Sequence, residues 1–412
     1  MRGSVLATPS ARRSRVGVAT IFCLNGFLAA LWVAHIPVIT ARTGTGPDLL
    51  GGLLLLVGGA AFAGMQVCGH LIDRLGSRPV TTVAALALCP AVLGPVVATN
   101  PATLAVAVAA FGFVNGSIDV SMNAQAVAVE RLYGRPIMSA FHGCFSVGGL
   151  AGSGAVAVGL LLDLPVAVTV AVLGGCGLLG VAAVCGSLVT RTDEAPAPIT
   201  DDPSRWWHEV DRHRLVILAL VAFAVMLAEG TAYDWSALHV VETFDMPEAI
   251  GALAFGSFSG AMTVARFVLD PIAGRCGPVA VVRGGALIGI AGMGLVLWPA
   301  TPGTAPAGTA IAGWTLFGIG VAGLIPQVFT AAGGLTRRSA GRAISMVVGC
   351  GYLGMLAGPA VVGAIGAHSS LRVGLTPVLA TLGFAALAAG VVRMRPGGAP
   401  TGDTAARDTL EG

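Results

Sequence analysis

The sequence predicts an all-α membrane protein in which twelve transmembrane helices form two six-helix bundles related by pseudo-symmetry. Of the 412 residues, 55% are hydrophobic and only 10% are charged, whereas a soluble domain carries about 25% charged residues. The apolar residues form long blocks, and a helix of about 20 residues crosses roughly 30 Å of hydrocarbon. The chain also resembles itself at offsets of 201 and about 207 residues, which predicts two related halves.

Twelve apolar blocks lie between turn signals, and each has the length of one membrane span. The first six are predicted near 16–40, 48–70, 79–98, 102–127, 137–161 and 164–189, and the second six near 214–236, 248–268, 279–299, 306–330, 342–366 and 372–392. The predicted organisation is a cytoplasmic tail at 1–15, an N-terminal bundle at 16–190, a cytoplasmic linker at 191–213, a C-terminal bundle at 214–393 and a cytoplasmic tail at 394–412.

The arginines predict how the chain is oriented in the membrane. The sequence has no lysine, and of its 23 basic residues only Arg42 and Arg372 fall outside the termini, the even-numbered connections and the helix ends beside them. Basic loops stay on the cytoplasmic side, so we expect both termini in the cytoplasm and the protein in a bacterial inner membrane. The first fifteen residues are polar and basic and carry no cleavage site, which predicts an uncleaved first span.

The cysteine pattern argues against disulfides and zinc sites, and the missing lysine argues against a Walker-type phosphate loop. The eight cysteines fall almost entirely in apolar blocks and lack metal-ligand spacing, which favours small buried apolar residues over disulfides or zinc. A Walker-type phosphate loop needs a lysine. We therefore expect a monomer in the lipid bilayer that is not an enzyme, that uses no metal, cofactor or nucleic acid, and that draws energy from an ion or solute gradient.

Residues 69–78, GHLIDRLGSR, place a charged turn marked by glycines directly after an apolar block. Asp73 is expected to accept hydrogen bonds from backbone N–H groups at a neighbouring helix start, where the helix dipole favours an anion. A merely solvated turn is the alternative, and it explains the arginines but not Asp73. Gly69 and Gly76 are expected to permit close helix approach and a tight turn. Arg74 and Arg78 are expected to pair with carboxylates or lipid phosphate.

The second half carries a degenerate copy of this motif. DRLGS in the first half aligns with GRCGP in the second, so Arg275 is kept while a glycine replaces the aspartate. Asp270 and Arg266 lie just upstream and are the expected substitutes. A longer match joins residues 134–152 to residues 341–359.

With these features the chain resembles the major facilitator superfamily. The resemblance rests on the ten-residue motif between the second and third helices, the twelve spans, the central linker and the half-chain repeat, and it covers residues 16–393. It implies the major facilitator fold, with a cavity lined by helices one, four, seven and ten. It also implies that the motif holds the cytoplasmic ends of the halves together when the site faces outward.

Two runs, NGSIDVSMNAQAVAVERLYGRPIMSAFHGCFSVGGLAG and EGTAYDWSA, resemble the rhizopine-cluster (MosC-like) branch of bacterial permeases within that superfamily. The branch is more distantly similar to fucose and glucose permeases. The fourth helix lacks the arginine that many proton-coupled members carry. The fifth lacks the Gly-Pro element of drug–proton antiporters, although GMLAGPAVVG in the eleventh helix is similar to it, and this weakens the case for drug antiport.

Polar side chains within the spans form the candidate solute site, because an ionisable group at mid-span costs roughly 2.5–3.5 kcal/mol. Asn115, Asp119 and Asn123 recur every four residues of the fourth helix and share one face. At about 1.5 Å per residue, Asp119 is expected roughly 12 Å from the inner end of its helix and Glu229 of helix seven roughly 22 Å. Asn25 of the first helix is expected near mid-depth.

Each of these residues has a structural alternative. The carboxylates and amides could serve only to hydrogen-bond helices together, an alternative that stays open for Asn25 and Asn115, whereas a watery cavity is favoured for Asp119 and Glu229. His142 is either a proton-linked gate or a packed residue. Tyr233 suits an interfacial aromatic belt as well as a gate that touches solute.

The sequence therefore predicts a secondary active transporter that moves a small polar organic solute across the cytoplasmic membrane by alternating access. Protons are the expected coupling ion, at Glu229, Asp119 and His142. The carboxylates and amides favour a polar or cationic solute. The residues expected to bind it are Asn25, Asn115, Asp119, Asn123, Glu229 and Tyr233.

Two alternative functions remain. An efflux pump for an antibiotic or secondary metabolite is the first, and the direction of transport is open. A transport-dead receptor or an intramembrane enzyme on the same scaffold is the second. The separate depths expected for Asp119 and Glu229 argue against the clustered catalytic set of an enzyme.

Overall fold

The computed structural model describes residues 9–190, 210–298, 304–336 and 339–393. Within these ranges the chain is helical without strands, and twelve helices are long and apolar enough to cross a membrane, which confirms the predicted class. Most of the predicted linker and of both tails lies outside the described residues, so the predicted domain boundaries stay predictions.

We number the twelve spans α1 to α12 and treat a span that is interrupted as one helix. In the first half α1 is Pro9–Thr43, α2 is Pro47–Leu75, α3 is Ser77–Ala91 continued by Leu93–Val97, α4 is Pro101–Tyr133, α5 is Met138–Leu161 and α6 is Val166–Val184. In the second half α7 is Arg212–Phe244, α8 is Glu248–Cys276, α9 is Pro278–Val296, α10 is Thr304–Val321 continued by Leu324–Gly333, α11 is Ala340–Ala367, and α12 is Leu371–Gly374 continued by Pro377–Ala388.

Several helices continue past the apolar blocks that predicted them. α4 ends at Tyr133 and not near 127, and α8 ends at Cys276 and not near 268. The charged motif is largely helical as well: α2 runs to Leu75, and the turn is Gly76 with φ 88° and ψ 160°, a left-handed φ that favours glycine. Hydropathy detects only the part of a helix that lies in hydrocarbon, whereas the backbone hydrogen bonds carry the helix on into the polar boundary.

Successive helices of each half alternate in direction, and the end of α2 meets the start of α11 across the halves, so α1 begins and α12 ends on the same side of the bundle. We call this side the terminal face and the other side the opposite face. Within the halves, α1 packs on α5 and α2 on α4, as α7 packs on α11 and α8 on α10. Across the halves, α2 packs on α11 and α5 on α8. The pairing pattern has the two-fold symmetry that the sequence repeat predicts.

Glycines set the close approach of the central helix pairs. A Cβ atom added at Gly148 of α5 would overlap the carbonyl of Cys23 of α1, and one added at Gly354 of α11 would overlap the carbonyl of Phe223 of α7. The equivalent contact thus recurs in both halves. Small residues let membrane helices pack backbone to backbone, which accounts for the many glycines of the chain.

The two arginines that break the positional rule have a structural role at the opposite face. Arg42 donates from Nη2 to the carbonyl of Ala98 at 3.1 Å, just after α3. Arg372 donates from Nε to the carbonyl of Leu297 at 2.9 Å, just after α9. A cation at a helix C-terminus satisfies unpaired carbonyls and complements the dipole. Both arginines therefore close equivalent helices of the two halves.

The glycine contact between α1 and α5 yields the first prediction. Gly148→Ala should destabilise the folded protein by about 1–3 kcal/mol, because an added methyl must push the two backbones apart. The measurement is the unfolding temperature of the purified protein in detergent. Gly154→Ala is the matched control on the same helix, since nothing lies within 4 Å of a Cβ there. Equal unfolding temperatures for the two variants would contradict the prediction.

Candidate functional site

A cluster of five polar side chains lies where the halves meet, between the two faces of the bundle. We call it the central cluster; it consists of Asp119 of α4, Ser146 of α5, Glu229 of α7, Arg266 of α8 and Tyr352 of α11. Arg266 forms an ion pair with Glu229, with Nη2 3.1 Å from Oε1, and donates from Nη1 to the Ser146 hydroxyl at 2.7 Å. Arg266 is therefore bound by both halves at once.

The second contact across the halves joins Asp119 to Tyr352. The two side chains are hydrogen-bonded, and only 8% of Asp119 is exposed. No basic side chain among the described residues forms an ion pair with Asp119. The cluster therefore holds one carboxylate with a cationic partner, Glu229, and one without.

The prediction that Asp119 and Glu229 lie at separate depths was wrong. Asp119 lies fourteen residues from the end of α4 at Tyr133, and Glu229 lies seventeen residues from the start of α7 at Arg212. At about 1.5 Å per residue these are roughly 21 Å and 25 Å from the terminal face. The error came from ending the fourth helix at its last apolar residue. Depth therefore no longer counts against an enzyme.

Three asparagines have buried carbonyl oxygens without donors: Asn115 and Asn123, one turn to either side of Asp119 on α4, and Asn25 of α1, which contacts Met122 of α4. Asn123 donates from Nδ2 to the backbone carbonyl of Asp119 at 2.8 Å, and Asn25 donates to the sulfur of Met122 at 3.5 Å. The Oδ1 atoms of Asn25, Asn115 and Asn123 are buried and accept no hydrogen bond in the structure. The structure thus satisfies the donors of Asn25 and Asn123 and leaves all three carbonyl oxygens open.

His142 and Tyr233 flank the central cluster. The His142 ring lies 5.4 Å from Phe22 and 5.9 Å from Phe329, and its Nε2 is buried without a partner. Tyr233 lies one turn beyond Glu229 on α7, packs edge-on against Phe258 at 5.4 Å and is 37% exposed. His142 thus sits in an aromatic seam between the halves.

The contact predicted for Asp73 is present at the terminal face. Its carboxylate accepts from the N–H of Gly341 at 2.9 Å and of Arg342 at 3.3 Å, and Arg342 Nε lies 3.4 Å from Oδ2. These are the first residues of α11, where N–H groups lack helical partners and the dipole favours an anion. We call this contact the first latch.

Asp270 forms the second latch, on the other side of the interface. Its carboxylate accepts from the N–H groups of Ser139 and Ala140, each at 2.9 Å, at the start of α5. The substitute proposed for the missing aspartate is therefore present. Arg266, the other proposed substitute, does not take part in this latch. It lies one helical turn, or about 6 Å, along α8 from Asp270, and it binds Glu229 in the central cluster.

A third carboxylate completes the start of α5. Glu130, near the end of α4, accepts from the N–H groups of Ile137 and Met138 at 2.8 and 2.9 Å and from the Thr330 hydroxyl of α10 at 2.9 Å. Together with Asp270 it satisfies four consecutive N–H groups that would otherwise lack partners. Glu130 and Thr330 also border a cavity of about 310 Å³ between the halves.

The remaining gating candidates occupy the same face. Gly69 lies inside α2 where a Cβ would meet the Ser345 side chain and the Gly341 carbonyl of α11. Arg74 and Arg275 lie in the exposed last turns of α2 and α8, and Arg78 is half-buried at the start of α3. Gly69 therefore lies in the first latch contact, and the three arginines lie at the same face of the bundle.

Sequence reasoning missed Tyr352, Ser146 and Glu130. Ser146 and Tyr352 stand in the two repeated runs, so equivalent polar positions in the repeats were the available signal. Glu130 directly precedes an arginine at a helix end, a pattern that is also typical of a solvated boundary. The sequence alone did not show which side chains of the other half these three residues contact.

The buried ion pair yields the second prediction. Glu229→Met and Arg266→Met should each destabilise the protein by about 3–5 kcal/mol, because each leaves a buried charge unpaired. The double variant should recover most of that loss, since paired charges replaced by apolar side chains are often tolerated. Unfolding temperatures of the three variants complete the cycle. Additive losses in the double variant would mean that the two side chains act independently.

Comparison with known proteins agrees with this architecture. The family profile described as Major Facilitator Superfamily matches residues 18–310. An uncharacterised MFS-type transporter of Yersinia pestis is 34% identical over 381 residues, which are 92% of this chain and 96% of the relative. The uncharacterised transporter y4wD of Sinorhizobium fredii is 31% identical and covers 86% of this chain and 92% of its own. The membrane protein MosC of Rhizobium meliloti is 28% identical and covers 88% and 86%.

Solved structures show the same fold at low identity. The transporter FucP in its outward conformation superposes with a TM-score of 0.79 at 12% identity, covering 94% of this chain and all of the other. The human organic anion transporter MFSD10 superposes with a TM-score of 0.71 at 17% identity, again covering 94% and 100%. With twelve spans, two latched halves and a family match over most of its length, the chain belongs to the major facilitator superfamily of multi-pass membrane transporters.

Proposed function

We propose that the protein is a proton-coupled secondary transporter of a small polar organic solute and works by alternating access. The observation that carries the proposal is the central cluster: a buried set of charged and polar side chains, contributed by both halves, lies at mid-depth of their interface. Ionisable groups inside a membrane protein are costly and mark solute or ion pathways. In superfamilies built from repeats, solute sites lie near the bilayer midplane between the repeats.

The distribution of contacts supports an outward-facing state. The latches and the bond from Thr330 to Glu130 hold the halves together at the terminal face. Among the described residues, the hydrogen bonds that join the halves lie on the terminal side of the bundle or in the central cluster. We take the terminal face to be cytoplasmic on the arginine rule. The solute cleft then opens to the outside, and the FucP structure with the same fold is likewise in an outward conformation.

The geometry favours a transporter over the two alternative functions. A receptor needs a binding site but no reversible closure, whereas the latches of this interface are carboxylates that bind backbone N–H groups, and such hydrogen bonds can break and form again. For an efflux pump of bulky amphiphiles we would expect a largely apolar site, whereas the central cluster consists of two carboxylates, an arginine, a serine and a tyrosine. The direction of transport follows from the gradient imposed and not from the site.

The function is tested by reconstitution. A thermal-shift screen of the purified protein against sugars, polyols, amino-acid conjugates and antibiotics identifies solutes, because a ligand stabilises the state that it binds. The solute that stabilises most is then offered to proteoliposomes with and without a pH gradient. Accumulation driven by the gradient supports the proposal. Binding without any flux would make the protein a receptor.

The first latch yields the third prediction. Asp73→Asn should fold and insert but lose most transport, because the neutral amide no longer complements the start of α11, and the population should shift towards the inward-facing state. A cysteine placed at Gln66, which donates to the Ser345 carbonyl at this interface, reports the shift by labelling from the cytoplasmic side in a background without native cysteines. Asp163→Asn, at an exposed loop of the opposite face, is the control. Wild-type flux and labelling in Asp73→Asn would refute the latch.

Glu229 yields the fourth prediction, which concerns coupling. Protonating Glu229 would leave Arg266 without its counter-charge, so proton binding and the ion pair exclude each other. Glu229→Gln mimics the protonated form and should abolish accumulation driven by a pH gradient while sparing counterflow exchange, which needs no net proton movement. Glu242→Gln, exposed on the same helix, should retain both activities. Continued accumulation by Glu229→Gln under the gradient would assign coupling to another residue.

A further inference from the structure

We infer that the solute carries a protonated amine and that this amine binds Asp119 together with the asparagine oxygens around it. The inference rests on the proposed function for the statement that the central cluster is the solute site. It adds the chemical class of the solute, which the family match leaves open. Three observations carry it: the charge balance of the central cluster, the unpaired acceptors near Asp119 and the net charge of the opposite face.

The charges of the central cluster leave one carboxylate without a partner. Arg266 Nη2 lies 3.1 Å from Glu229 Oε1, and Arg266 Nη1 donates a hydrogen bond to the Ser146 hydroxyl. The carboxylate of Glu229 therefore already balances the charge of Arg266. Asp119 is buried, with 8% of its surface exposed, and its described contact is the Tyr352 hydroxyl. A buried carboxylate is normally paired with a cation or neutralised. A cationic group on the solute supplies that pair.

The hydrogen-bonding groups around Asp119 also require a ligand rich in donors. Buried polar atoms are nearly always hydrogen-bonded, so each exception calls for an explanation. Three such exceptions on α4 and the helix beside it are acceptors: Oδ1 of Asn115 and Asn123, one turn to either side of Asp119, and Oδ1 of Asn25, whose amide contacts Met122 of α4. The amide orientation of Asn123 is fixed by the bond from its Nδ2 to the Asp119 carbonyl. An ammonium group has three donors and no acceptor, which matches an aspartate flanked on its helix by unpaired carbonyl oxygens, whereas a carboxylate or phosphate would face acceptors there.

The charges along the opposite face favour the same class of solute. The described side chains there include five exposed carboxylates and two arginines, Arg42 and Arg372, which hold helix C-termini. The carboxylates are Asp163, Asp234, Glu242, Asp245 and Glu248. A surface with net charge of one sign concentrates ligands of the other sign and raises their association rate. Of these carboxylates Asp234 lies nearest the central cluster along the chain, five residues after Glu229 on α7.

The experiment compares matched pairs of solutes in which an ammonium replaces one hydroxyl. Purified full-length protein is titrated with glucosamine and glucose, with 2-aminoethanol and ethylene glycol, and with 1,4-diaminobutane and 1,4-butanediol, and thermal stabilisation is read for each. We expect at least one ammonium member to stabilise the wild type while its hydroxyl partner does not. Equal stabilisation within every pair, or none by any compound, would overturn the inference without any variant.

Variants then assign the preference to Asp119. Asp119→Asn should weaken binding of the stabilising amine at least about 30-fold, the lower end for removing one partner of a buried charge pair, whereas Asp119→Glu keeps the charge and should keep the preference. If Asp119→Asn binds the amine as the wild type does, the assignment is wrong. A protein that binds amines through Asp119 but moves none would refute the transporter and leave this inference standing. A protein that transports only neutral or anionic solutes would support the transporter and refute this inference.

Discussion

The arrangement of the two halves depends on one kind of contact: a carboxylate of one half that binds the bare N–H groups at the start of a helix in the other. Asp73 does this for α11 and Asp270 for α5. Each helix start carries about half a positive charge and several unpaired donors, so an acidic side chain is its best partner. The contact itself is polar and consists of hydrogen bonds and one ion pair, with no covalent link.

The position of these contacts decides what the rest of the interface can do. They lie at the terminal face, and Glu130 reinforces the start of α5 from within its own half while it binds Thr330 of the other. The central cluster lies farther from the terminal face, where glycine contacts hold the helix pairs within each half. There the halves meet through Arg266 and Tyr352 and through apolar contacts such as Phe62 with Gly349 and His142 with Phe329.

The central cluster separates two electrostatic roles. Glu229 has its counter-charge within the protein, on the neighbouring helix, and a change in its charge is felt by Arg266 and hence by Ser146 of the other half. Asp119 has no such partner among the described residues, and the Oδ1 atoms of Asn115 and Asn123, one turn to either side of it on α4, accept no hydrogen bond. Glu229 is thus linked to the interface through its ion pair, whereas Asp119 has no counter-charge among the described residues. The sequence did not predict this difference, because it shows Asp119 and Glu229 only as acidic residues in apolar blocks.

The sequence by itself determined the membrane class, the number of spans and the two-fold repeat, because hydropathy and periodicity are properties of single segments. It also identified Asp73 as an anion for a helix start, since the motif is local. Only the tertiary structure decided the partners. Arg266 was expected, like Asp270, to substitute for the aspartate missing from the second motif copy, but it binds Glu229. Tyr352 was not foreseen as the partner of Asp119. The depth of Asp119 was misjudged by roughly 9 Å because α4 continues beyond its apolar block. A pattern along one chain records which side chains are polar; which of them meet depends on helix length, rotation and the packing of one half against the other.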